Sequence, residues 1–123
     1  LRYEEVADAG LPVDLDVADD TGNVPPGVEL AAYRIVQEAL TNALRHAHAR
    51  RATVRLDVRA GSVRVVVSDD GSGHNGGRRS GGHGLVGMRE RVAVYGGSLN
   101  VGPAPEGGFR VDATIPYDED LAP

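Results

Sequence analysis

Cysteine, lysine and tryptophan are all missing from this 123-residue chain. Without cysteine there are no disulfides, no thiolate metal sites and no thiol nucleophile. Without lysine there is no Walker-type phosphate loop, which needs Gly-Lys followed by Ser or Thr. Aromatic residues make up only 4% of the chain, four Tyr and one Phe. No apolar run approaches the roughly 18 residues a membrane-spanning helix needs, and no signal-peptide pattern opens the sequence. Positive charge is in deficit: 13 Arg stand against 18 acidic residues, a net charge of −5. That balance argues against nucleic acid as the main partner, since phosphate backbones call for a basic face. Arg45, Arg50, Arg51, Arg78 and Arg79 still cluster locally, which suits a small anionic ligand. The length fits one domain with a single core, and 41% hydrophobic with 25% charged residues is ordinary globular composition. With no initiator Met before Leu1, the chain reads as a piece of something longer, and its lack of cysteine fits a reducing cytoplasm.

The segment from Arg34 to His46 organises the rest. Ala, Leu, Gln, Glu and Arg dominate it, no Gly or Pro interrupts it, and Pro25-Pro26 stands upstream. At about 100° per residue, Val28, Ala32, Ile35, Val36, Ala39, Leu40, Ala43, Leu44 and Ala47 fall on one arc. Glu38, Asn42, Arg45 and His46 line one edge of that arc. As a helix surface alone this is an ordinary polar face, with pairs worth about 0.2–0.5 kcal/mol each. Asn, however, is a mediocre helix former, and its position on the seam suits contact with a ligand.

In chain order, Leu1–Ala9 reads as a helix end stopped by Gly10. Val13, Leu15 and Val17 alternate as a strand with that face buried, 19–23 is a turn, and a long helix covers about 27–48. Strands follow at 53–59 and 62–68, joined at Ala60-Gly61 as an antiparallel hairpin. From Asp70 to Gly84 seven of fifteen residues are Gly and none is apolar, which predicts a mobile loop. A short helix at 85–95 is closed by Gly96-Gly97. Strands at 98–102 and 109–116 are joined by a Pro- and Gly-rich turn, and 117–123 is an acidic, frayed tail. This order predicts a two-layer α/β sandwich: a mixed, mostly antiparallel sheet covered on one face by helices.

Two glycine-rich runs, Gly71-Ser-Gly73-His-Asn-Gly76 and Gly82-His-Gly84-Leu-Val-Gly87, match the dinucleotide pattern but not its context of strand, helix and downstream acid. They make better sense in another role. Asp69 ends an apolar strand, and its acceptor-only carboxylate suits an exocyclic amino group such as adenine's. Gly71 and Gly73 allow close approach to a flat ring. Gly82 and Gly84 open a helix at Leu85, whose free N–H groups favour phosphate. The side-chain oxygen of Asn42 is a ligand type that Mg²⁺ accepts. Asp-Gly is also common in plain turns, so the combination carries more weight than either box.

Arg34-Ile-Val-Gln-Glu-Ala-Leu-Thr-Asn42 with Arg45-His46-Ala47 resembles the N box of bacterial sensor histidine kinases, specifically of the NarL/DesK-type class. Asp69–Gly73 resembles that family's first glycine box, 82–91 its second, and Gly107–Pro116 its closing strand. The resemblance covers about Gly10 to Pro116. It implies a Bergerat-fold, GHKL-type ATP-binding domain over 11–116, preceded at 1–10 by the end of a linker from a dimerisation and phosphoacceptor domain. By position it implies that Asn42 coordinates Mg²⁺ and that Glu38 polarises a reacting group or a water. It places Arg45 and His46 near the phosphates and Asp69 on the adenine amino group, with Gly71 and Gly73 beside the base. Residues 74–83, including His74 and His83, become a lid over ATP, hinged at Gly82, Gly84 and Leu85 and lacking an aromatic anchor. Many members carry Thr where this chain has Phe109; Thr114 is the other hydroxyl on that strand. None of the four histidines reads as the phosphoacceptor, so the chain would donate the γ-phosphoryl of ATP to a His on its own upstream domain. A response regulator would act downstream, with no membrane contact from this piece and a monomeric isolated domain. Two alternatives share the fold: a serine kinase acting as an anti-sigma factor, and an ATP-sensing module without transfer.

Overall fold

The computed structural model describes residues 11–19, 24–45, 49–71, 82–105 and 107–118. Strand β1 spans Val13–Asp19, helix α1 Pro26–Arg45, β2 Ala52–Arg59, β3 Ser62–Asp69, helix α2 Gly82–Val94, β4 Ser98–Pro103 and β5 Phe109–Pro116. The strands form one sheet in the order β1-β2-β3-β5-β4. β1 and β2 are parallel, and the other three pairings are antiparallel. A parallel neighbour cannot be reached by a tight turn, so the chain crosses the sheet, and α1 is that crossover. The expected two-layer sandwich, mixed and mostly antiparallel, is what the chain adopts.

Each element follows from local chemistry. Pro26 occupies the first helical position of α1, where its missing N–H has no helical partner to lose, and Glu29 sits in the positive first turn. Val28, Ala31, Ala32, Ile35, Val36, Ala39, Leu40 and Ala43 bury one stripe of that helix. In β2 the even-numbered residues from Ala52 to Val58 are buried, in β3 the odd ones from Val63, and in β5 the odd ones from Phe109 to Ile115. The sheet thus turns one apolar face to the helices. Met88 and Val92 of α2 complete the core from above. Each fully buried aliphatic side chain of this kind contributes about 1.5–3 kcal/mol.

The end of α2 is fixed by a reversal. Gly96 has φ +73°, its N–H donates to the Ala93 carbonyl at 2.9 Å, and the Gly97 N–H donates to Val92 at 3.0 Å. This is a Schellman closure, and Gly supplies the left-handed residue that it requires. Tyr95 lies against Gly27, so the C-terminal end of α2 meets the N-terminal end of α1.

Four readings change. Helix α2 begins at Gly82 rather than Leu85. Tyr117 is anchored: its hydroxyl donates to the Arg59 carbonyl at 2.7 Å and its N–H to Gly61 at 2.9 Å. Thr114 pairs with Arg64, whereas Asp69 pairs with Phe109. Five residues of strand, roughly 17 Å, separate the two positions, and an odd offset puts them on opposite faces. Thr114 therefore cannot stand in beside Asp69. Finally, Leu15 and Val17 remain 46% and 50% exposed, because α1 packs across β2, β3 and β5 and leaves edge strand β1 uncovered. The expectations for 1–10, the turn at 20–23, the lid residues 72–81 and the tail beyond 118 lie outside the described residues.

The face of the sheet turned away from the helices is polar and laced with ion pairs. Arg51 pairs with Asp14 and Arg55 with Asp16, each at 3.5 Å, and Arg59 pairs with Asp57 at 3.0 Å. Arg64 grips Asp112 with two hydrogen bonds, at 3.0 and 2.7 Å.

Candidate nucleotide site

Two polar side chains are buried among the described residues, Asn42 at 6% exposure and Asp69 at 8%. Both belong to the seam and the strand tip singled out in the sequence. Asn42 is near the C-terminal end of α1. The chain then returns to the sheet, with the Ala49 N–H donating to Ala43 at 3.3 Å, and enters β2 at Ala52, directly opposite Asp69 at the exit of β3. The C-terminal end of α1 and the C-terminal end of β3 are therefore at one end of the sandwich. Helix α2 has its C-terminal end at the other, where Gly97 meets the Thr114 carbonyl, so it opens towards the Asp69 end.

Asp69 is held in place from three sides. Its Oδ1 accepts a hydrogen bond from the buried Gly71 N–H at 2.8 Å, which reverses the chain within two residues. Its cross-strand neighbours are Ala52 and Phe109, an apolar row. Behind it, Gly108 at φ +90° presses on the Asp69 carbonyl so closely that a Cβ would overlap it.

Asp70 does different work. Its Oδ1 accepts the N–H groups of Arg50 at 2.8 Å and Arg51 at 3.0 Å, and its own N–H donates to Arg51 at 3.2 Å. Those backbone donors hold its carboxyl below the usual carboxylate range. Asp70 thus pins the entry of β2 to the exit of β3. Neither Asp70 nor Gly108 had been given a role in the sequence. Strand parity carries the signal for the pair: Val63, Val65, Val67 and Asp69 share the buried face, and Asp70 does not.

Asn42 makes no side-chain hydrogen bond among the described residues, although it is nearly buried. Glu38, one helical turn earlier on the same edge, is half-buried. Gly82, Gly84 and Leu85 are the first turn of α2 itself, so the unpaired amides are their own. Leu85 also packs against the core. The side chains of Arg45 and His83, and the whole of His46 and Gly73, lie outside the described residues. No trio of His, Cys, Asp and Glu able to hold a metal occurs among the described residues.

A 20-residue helix and a strand tip thus bury Asn42 and Asp69 at a shared end, with a glycine-opened helix pointing there. The chain is 38% identical over 109 residues to the sensor histidine kinase YxjM of Bacillus subtilis, covering 88% of this chain and 26% of the relative. It spans about a quarter of the length of that curated relative. In three dimensions it resembles the ATP-binding domain of PrrB from Mycobacterium tuberculosis, with a TM-score of 0.70 at 21% identity, covering 94% of this chain and 88% of the other. It also resembles the histidine kinase domain of a blue-light activated histidine kinase from Erythrobacter litoralis, with a TM-score of 0.65 at 30% identity, covering 92% and 54%. Among the described residues no helix is long and apolar enough to cross a membrane. Residues 27–119 match the histidine kinase-, DNA gyrase B- and HSP90-like ATPase family, and the chain belongs to that family.

Proposed function

We propose that this chain binds Mg²⁺-ATP between α1, the tip of β3 and the first turn of α2, and donates the γ-phosphoryl group to a histidine on a separate dimerisation domain. The observation that carries the reading is that Asn42 and Asp69, the two polar residues buried among the described residues, stand at the same end of the sandwich. In this role Asp69 accepts the adenine amino group, with Gly71 and Gly73 beside the ring. Gly82, Gly84 and Leu85 present backbone N–H groups to the phosphates, helped by the positive end of α2. Arg45, His46 and His83 add positive charge or donors around them. The Asn42 carbonyl oxygen fits a hard cation that keeps several waters and phosphate oxygens. Bound Mg²⁺ supplies charge neutralisation across the phosphates. Glu38 orients the accepting imidazole or a water. A bond forms between phosphorus and an imidazole nitrogen, the bond from γ-phosphorus to the bridging oxygen breaks, and ADP leaves with that electron pair. Little covalent chemistry is asked of the chain, which positions and stabilises.

The proposed setting is a two-component kinase of the NarL/DesK type, with its own upstream phosphoacceptor domain and a response regulator as partners, at the cytoplasmic side. Mixing the chain with γ-labelled ATP and a separately prepared phosphoacceptor domain tests it. Acid-labile label on a histidine of that domain is the expected result. Acid-stable label on serine favours a serine kinase, and nucleotide binding without transfer favours a sensing module; either overturns the proposal.

A further inference from the structure

On the helix-free face, Thr53 of β2, Ser68 of β3 and Arg110 of β5 stand in one row across three neighbouring strands. Adjacent members of such a row are about 4.8 Å apart. Arg51 lies two residues before Thr53 on the same face. Together with the β4–β5 turn at Pro105 they line a half-enclosed hollow of about 360 Å³.

Its charge pattern is unusual for this face. Arg51, Arg55, Arg59 and Arg64 each have an aspartate partner there. Arg110 has no carboxylate within ion-pair distance among the described residues; its charge acts on Asp112, whose two oxygens are engaged by Arg64. Its Nε is buried without a hydrogen-bond partner, the one buried side-chain polar atom in that position among the described residues. Of the two aspartates bordering the hollow, Asp69 turns its side chain to the opposite face and Asp70 has Oδ1 engaged by two backbone N–H groups. Arg51 is held by Asp14 only at 3.5 Å, with both side chains more than 60% exposed, so it can turn at little cost. Two guanidinium groups and two hydroxyls thus line one hollow. That donor set matches a tetrahedral oxyanion, which Arg recognises through paired N–H groups.

We infer that this hollow is a second binding site, for a phosphate group, formed by Arg110, Arg51, Thr53 and Ser68. It opens on the helix-free face, and its edge reaches Asp69 at the tip of β3. Ser68 points into it while the next residue, Asp69, points to the opposite face. One strand end therefore borders both sites.

Titration of the ¹⁵N-labelled chain with inorganic phosphate, against chloride at matched ionic strength, tests the assignment. Saturable shifts centred on Thr53, Ser68 and Arg110 are expected. Arg110→Met should weaken them about tenfold or more, with the rest of the spectrum unchanged. Ser68→Ala should weaken them less, and Asn42→Ala should leave them intact. Repeating the titration with O-phosphoserine distinguishes the free ion from a phosphate carried on a larger molecule. Shifts that never saturate, that chloride reproduces, that survive Arg110→Met, or that centre on Asn42 and Gly84 would overturn the inference.

Discussion

Gly108 lies against the carbonyl of Asp69, at φ +90°, with no room for a Cβ between them. The turn joining β4 to β5 is therefore the backstop of the residue assigned to the adenine. Replacing Gly108 by Ala imposes an unfavourable backbone region and a steric overlap, together about 1–3 kcal/mol. The melting temperature should fall by roughly 4–12 °C. Gly102→Ala, where a Cβ meets nothing within 4 Å, is the control and should be nearly silent. Calorimetry on both variants decides whether the contact is as tight as described.

Acid should loosen the sandwich through two carboxylates. The backbone N–H groups of Arg50 and Arg51 lower Asp70, and the Arg64 guanidinium lowers Asp112. A carboxyl whose folded pKa lies below its unfolded value of 3.8 stabilises the fold fully above that value, and the contribution is lost as pH falls below it. Asp70→Asn and Asp112→Asn should therefore melt below the parent at neutral pH and converge with it as the pH drops through 3.8 towards the lowered folded values. Melting curves across that range that stay parallel would contradict the assignment.

Asn42 separates a structural role from a ligand role. Its side chain makes no hydrogen bond among the described residues. Asn42→Ala should therefore change stability by no more than about 1 kcal/mol. Asn42→Asp, like Asn42→Ala, should abolish tight Mg²⁺-dependent nucleotide binding. Fluorescent-nucleotide titration with and without Mg²⁺ reads this out; unchanged Mg²⁺ dependence in both variants counts against the role.

Asp69 should set the choice of base. The Gly71 N–H holds Oδ1 at 2.8 Å, so an Asn there keeps its carbonyl on Gly71 and turns its NH₂ to the other side. That group repels the adenine amino group and can donate to guanine O6. Asp69→Asn should reduce the preference for adenine over guanine nucleotides by about tenfold or more. Competition binding with ATP and GTP measures it, and an unaltered ratio refutes the contact.

Periodicity made much of this legible. The stripe from Val28 to Ala43 and the alternation in β2, β3 and β5 fix which residues face the core, and Asp69 follows from the same alternation. The parallel partner of β1 was not legible, because alternation says which face a strand buries but not which neighbour it takes. Thr114 looked close to the motif in sequence, yet an odd offset along β5 sends it to the other face and the other end. The ion pairs of the open face, and the Arg110 left over from them, depend on register between strands distant in sequence. The Gly108 contact depends on how one turn meets the end of another strand, which no local pattern encodes.

The most direct measurement is a residue-by-residue NMR titration of the chain with Mg²⁺ and a non-hydrolysable ATP analogue. The account predicts that Asn42, Asp69, Gly71, Gly84 and Leu85 shift together along one saturation curve, and that omitting Mg²⁺ weakens the response. Shifts scattered over unconnected surfaces, or a response that leaves Asn42 and Asp69 unmoved, would contradict it.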